Sequence, residues 1–175
     1  MTTDLATLVA RAEITDVLTR YVRGVDRNDW DLVRSCYHGD AVDDHGLYSG
    51  GVGGLIVFLT DLAGTLTSTS HQLGPPLIEV DVDIDAARVE TYCLGWYERS
   101  GRDASTWSIA QGLRYLDHFE CRAGQWAISN RVVVLDWERV FEPGRPSSPA
   151  DSWQRGARGQ ADPSAGLFEA RRTSP

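Results

Sequence analysis

Between residues 77 and 138 the chain is almost continuously patterned with period two. Segments 77–82, 88–99, 106–120 and 125–138 alternate apolar and polar side chains, as half-buried strands do. Ile84-Asp85-Ala86 and Arg122-Ala123-Gly124 read as hairpin connections, and residues 100–104 as a longer polar one. Strands of this length twist and curl. The chain turns to β from about Ser68, and the part before it is helical in period apart from a short strand at 41–45. This predicts an α+β fold in which N-terminal helices pack on a strongly curved, mostly antiparallel sheet and close a conical barrel with a pocket inside.

Ile14, Leu18, Tyr21 and Val25 follow helical spacing, with Val17 and Val22 widening the stripe and Thr3 or Asp4 as cap. A second helix is expected over 30–37, with Leu32, Val33 and Cys36 inward. A loop follows at 50–54 and a third helix at 55–65. After Pro143 the sequence becomes rich in Pro, Ser, Gly and Arg. The expected organisation is one domain over 1–142 and an extended or disordered tail over 143–175, an arm suited to a neighbouring subunit.

The 175 residues carry a net charge of -8, which argues against nucleic acid or an anionic membrane as non-specific partner. No apolar run approaches the ~20 residues that span a bilayer. The N-terminus lacks the basic start and small-residue cleavage site of a signal peptide. Cys36, Cys93 and Cys121 are odd in number and lack metal spacing, which fits buried thiols in a reducing cytoplasm.

One carboxylate is conspicuous. Asp26 ends the first apolar stripe, where helix carbonyls make a negative charge unfavourable. It lies one turn beyond Val22, at the stripe's margin, so it can point inward. His71 stands among small residues in TSTSHQLGPP, just before a strand. His38, Asp40, Asp43, Asp44 and His45 contain ordinary metal ligands, but their spacing matches no established site. No G-x-S-x-G elbow appears for a serine nucleophile. In the last strand Ala127, Ser129, Arg131, Val133, Leu135 and Trp137 share one row, with Arg131 its single charge. Both faces of the strands are rather apolar, which suggests that another subunit covers the outer one.

These residues carry a family likeness. The chain resembles the SnoaL-like branch of the NTF2-like superfamily over about residues 4–141. The likeness rests on YVRGVDRNDWDLVRSCY, HGDAVDDHGLYSG, TSHQLGPPLIEVD, VETYC and GQWAISNRVVVLDW. It implies a deep pocket between helices and a curved sheet. Within the group, the enzymes most similar at the polar positions are scytalone dehydratase, bile-acid 7α-dehydratase and hexachlorocyclohexane dehydrochlorinase. Each uses an Asp–His pair to remove a proton and expel a leaving group. By resemblance Asp26 and His71 are that pair. Tyr21 matches the active-site Tyr of the bile-acid enzyme, and Arg131 the Arg of the dehydrochlorinase. His45 falls near a catalytic Tyr of scytalone dehydratase, a change of residue type. A second pocket His of that enzyme has no match, which argues against scytalone as substrate.

The resemblance therefore implies a lyase needing no metal or organic cofactor. It would perform dehydration or β-elimination on a small hydrophobic cyclic molecule, with Asp26, His71, Tyr21 and Arg131 catalytic. His45, Tyr92, Trp96, Tyr115, Val133 and Trp137 are candidates to bind the substrate. A polyketide cyclase, a ketosteroid-type isomerase and a non-catalytic binding or scaffold protein share the same fold and stand as alternatives. A homodimer or homotrimer is implied as well.

Overall fold

Helix α1 (Leu5–Arg27) starts where the Asp4 side chain accepts the Thr7 N–H at 2.8 Å. Its stripe of Ala10, Ile14, Val17, Leu18, Tyr21 and Val22 is buried. Asn28 stops it in a left-handed conformation, with φ 55°. The chain then turns straight into α2 (Trp30–Ser35), capped by Asp29 onto the Leu32 N–H at 3.1 Å. Gly24 permits the tight turn-back, since a Cβ there would meet Val33 Cγ2 at 2.8 Å. The computed structural model describes residues 4–101, 105–143 and 152–169.

The order continues with β1 (Tyr37–Asp44), β2 (Ser49–Gly51), α3 (Val52–Gly64), β3 (Ser68–Leu73), β4 (Leu77–Asp81), β5 (Ala86–Ser100), β6 (Thr106–Arg122) and β7 (Gln125–Phe141). The sheet runs β2-β1-β7-β6-β5-β3, with β4 also on β5. It is curved and open, and only the β1–β7 pair is parallel. The α+β expectation therefore holds. β1 begins four residues before the expected strand, and His71 lies inside a strand rather than before one. Ala123 and Gly124 both take positive φ, 52° and 77°, as a two-residue hairpin requires.

Two bulges break the alternation of β7. Gly112 pairs with Trp137 but Leu113 with Leu135, so Asp136 is extra. His118 pairs with Asn130 but Phe119 with Ile128, so Ser129 is extra. Each extra residue flips the side chains beyond it to the other face. Arg131, Val133 and Leu135 keep the inner face, while Trp137 turns outward over Gly112.

Residues 152–169 differ from the expected extended or disordered tail. They form a 3-10 turn (Gly159–Ala161) and a short helix, α4 (Ala165–Glu169), lying against the helical layer. Arg158 Nη1 donates to the Ala63 carbonyl at 2.7 Å, Arg27 pairs with Asp162 at 3.2 Å and Arg23 donates to Ser164 at 3.0 Å. The rest of the expected tail, 144–151 and 170–175, lies outside the described residues. No described helix is long and apolar enough to cross a membrane.

Candidate active site

Asp26 occupies the last turn of α1. The expected helix-end penalty is offset by one residue of β3. His71 Nδ1 donates to Asp26 Oδ1 at 2.7 Å, and the His71 backbone N–H donates to Oδ2 at 2.9 Å. Both side chains are mostly buried. A carboxylate can only accept, so the proton sits on Nδ1 and the neutral ring keeps its lone pair on Nε2. That nitrogen faces the Tyr97 hydroxyl at 3.2 Å. Burial pushes the Tyr97 phenol above its ordinary range, so it remains a proton donor.

The pair opens on a cavity of about 490 Å³, within the usual size for small-molecule sites. Phe58, Leu59 and Leu62 of α3 close it on one side. Ile109, Leu113 and Val133 of the sheet line the other. His45, His71 and Tyr97 bring polar atoms to this wall, and Arg99, Gln111 and Glu138 also border the cavity. Gln111 donates to Glu138 at 2.6 Å.

His45 reaches the cavity from the end of β1. Its Nδ1 lies 2.9 Å from Asp43 Oδ1, and the other Asp43 oxygen accepts from Tyr37 Oη at 2.7 Å. Asp43 is fully buried. Burial works against its charge, but the bond from His45 and nearby positive charge outweigh it and hold the carboxyl below the ordinary range.

Arg131 is placed otherwise than expected. It is 0% exposed and absent from the cavity wall. Asp117, directly across the β6–β7 ladder, takes both Nε and Nη2 at 2.7 Å. The rings of Tyr21 and Tyr115 sandwich the guanidinium at 4.2 and 4.3 Å. Burial opposes its charge, yet Asp117 outweighs that and keeps it cationic. Committed in this way, it does not reach an enolate or carboxylate in the cavity.

The other expected residues divide. Tyr21, His45, His71 and Val133 line the cavity, and Asp26 stands behind His71. Tyr115 is in the core on Arg131. Tyr92 and Trp96 point to the outer face, because β5 buries the alternate row that holds Cys93. Trp137 joins them through the Asp136 bulge. No metal cluster of three or more His, Cys, Asp or Glu occurs among the described residues. His38 Nε2 donates to the Glu120 carbonyl, and Asp40 pairs with Arg122.

Sequence reasoning missed Tyr97. Tyr97 shares a strand row with Cys93 and lies two residues beyond Gly95, which pairs with His71, a placement that cross-strand register shows and strand alternation alone does not. It also missed the Asp43–His45 pair at the end of β1.

The sequence profile of the SnoaL-like domain matches residues 6–132. A search of curated proteins finds no match. Among solved structures, hexachlorocyclohexane dehydrochlorinase LinA-type3 from Novosphingobium barchaimii is similar at 20% identity and a TM-score of 0.73. That alignment covers 83% of this chain and 99% of that one. A candidate scytalone dehydratase from Novosphingobium aromaticivorans aligns at 16% identity and a TM-score of 0.66, covering 81% and 97%. At such identities the likeness shows the fold.

Proposed function

The chain belongs to the SnoaL-like family, and from that premise and the pocket geometry we propose that it is a cofactor-independent lyase. It eliminates water or another leaving group from a small, hydrophobic, cyclic substrate. The observation that carries this reading is the Asp26–His71 pair, bonded at 2.7 Å in the wall of an apolar cavity. Similar folds named for dehydratase and dehydrochlorinase chemistry add support.

His71 Nε2 takes the proton from a carbon beside a carbonyl. The C–H electron pair becomes the new double bond as the bond to the leaving group breaks. Asp26 fixes the tautomer and stabilises the imidazolium that forms. A general base of this kind contributes about 10²–10⁴-fold. Tyr97, displaced from Nε2 by the substrate, donates instead to the carbonyl oxygen where charge develops. Tyr21 packs beneath, with burial holding its phenol in the neutral form.

The same groups can return the proton to another carbon, so an isomerase or polyketide cyclase remains the second reading. The test incubates the protein with cyclic hydroxyketones and follows the conjugated enone by ultraviolet absorbance. Turnover by the wild type and its loss in His71→Ala, with an unchanged circular-dichroism spectrum, is the expected result. Turnover retained by His71→Ala removes the base assignment. A migrated double bond without loss of water selects the isomerase.

A further inference from the structure

The cavity holds two carboxylate-backed histidines, and elimination by His71 uses only one. His71 lies on β3 at one end of the sheet order and His45 directly follows β1 near the other, with β7, β6 and β5 between these strands. Both line the one cavity. The His45 ring packs on Phe58 at 6.3 Å, and Asp43 fixes it through Nδ1. Nδ1 is therefore occupied by a carboxylate, and Nε2 is the nitrogen available to a ligand.

The support behind His45 is more elaborate than a structural histidine needs. Asp43 accepts from the Tyr37 phenol, which burial keeps protonated. Tyr37 in turn accepts from Arg131 Nη1 at 3.4 Å. Arg131 is already balanced by its two-pronged bond to Asp117. Buried charges are costly unless paired, and the side chains bonded to Asp43 are Tyr37 and His45, so the carboxylate fixes the His45 ring through Nδ1 and leaves Nε2 toward the cavity.

We propose that His45 is a second catalytic histidine, an acid that protonates the departing oxygen while His71 removes the carbon-bound proton. The proposal rests on the elimination reading and narrows it to substrates that lose hydroxyl. In the balanced step, His71 Nε2 gains the proton from carbon and the C–H pair forms the C=C bond. The C–O bond breaks toward oxygen, and the His45 Nε2 proton joins that oxygen, so water leaves. Loss of the proton from His71 to water and uptake of one by His45 from water then restore both rings. A hydroxide ion is a poor leaving group and needs such a donor. A halide or aryloxide does not. The substrate class is a cyclic β-hydroxy carbonyl compound.

The test compares 3-hydroxycyclohexanone with 3-(4-nitrophenoxy)cyclohexanone, using the full chain and the variants His45→Gln and His71→Gln. Gln at 45 retains a donor toward Asp43, and thermal melts check folding. Loss of His45 should lower kcat/KM on the hydroxy probe by about 10²–10⁴-fold, the usual contribution of a general acid, and on the aryloxy probe by less than about tenfold. Loss of His71 should lower both. An equal effect of His45→Gln on the two probes, or none on either, overturns the proposal.

Wild-type inactivity on both probes counts against the elimination reading, and a binding measurement then decides His45 separately. Bound 4-nitrophenol should show phenolate absorbance in wild type and His71→Gln and lose it in His45→Gln. A phenol that stays neutral or unbound in wild type, or phenolate kept by His45→Gln, overturns the assignment.

Discussion

The ring of Tyr97 lies over the Cα of Gly95, the residue that faces His71 across the β3–β5 ladder. A Cβ at position 95 would collide with the phenol, so the glycine makes the room through which Tyr97 reaches His71 Nε2. Gly95→Ala should move Tyr97 away from His71 and from the substrate carbonyl oxygen to which it donates. A neutral hydrogen bond is worth about 0.5–1.5 kcal/mol, so activity should fall by up to about tenfold. Crowding in a packed site costs about 1–3 kcal/mol, which urea denaturation would read as a lower midpoint. Tyr97→Phe should reproduce the loss of activity without the loss of stability. A Gly95→Ala protein with the wild-type midpoint and rate would remove the link.

Asp26 acts through His71. Asp26→Asn keeps its one oxygen for the His71 backbone N–H, turns its NH2 toward the ring and removes the charge that stabilises imidazolium. Turnover should fall by about 10²–10⁴-fold, the contribution of the base it supports, while the His71 backbone bond keeps an oxygen acceptor. An activity loss matched by an equal collapse of the thermal midpoint would instead mark the pair as structural.

Arg131 shows how much of this site could be read from the sequence. Strand alternation made it the single charge of its row without deciding which row faces inward, and the register sets it against Asp117. Reading each strand alone did not show that the two are directly opposed. Cross-strand register turns a candidate anion holder into one half of a buried ion pair. Trp137 failed for a related reason, because a bulge at Asp136 flips the face and alternation counted through it gives the wrong side. The Asp26–His71 contact, 45 residues apart, was reachable only through the family likeness. The helices and long strands were legible from periodicity, since hydrophobic spacing reports burial directly. The docking of residues 152–169 was not, because it depends on Arg158 and Asp162 rather than on an apolar stripe.

Removing one half of that ion pair leaves the other uncompensated. Arg131→Met should destabilise the protein by about 3–5 kcal/mol, the usual cost of breaking a buried pair. Replacing Arg131 and Asp117 together with apolar residues should cost less than the single change. Equilibrium urea unfolding checks both. A single variant that keeps full stability but loses activity would return Arg131 to the catalytic group.

Asp43 gives a pH dependence of defined sign. Its carboxyl lies below the ordinary value of 3.8 in the folded protein. A depressed carboxylate stabilises the fold fully above its unfolded pKa and loses that contribution as pH falls through the folded value. Asp43→Asn should therefore be less stable than wild type at pH 7. Below about pH 4, near the unfolded value for Asp, the gap between the two should narrow. Unfolding midpoints measured across that range decide it, and a gap constant with pH would refute the linkage.

The outer face of the sheet carries the last expectation. Tyr92 is 62% exposed there, Trp96 stacks on Phe141 at 5.3 Å and Trp137 lies beside them over Gly112. Large exposed apolar surfaces mark contact sites, and the proposal that the protein self-associates rests on these residues. Sedimentation equilibrium should give two or three times the 19.3 kDa of one chain. Trp96→Glu places a charge in the patch, away from the cavity, and should shift the mass toward the monomer. A wild-type mass of one chain sinks the proposal. An unchanged oligomer in Trp96→Glu moves the interface to another surface.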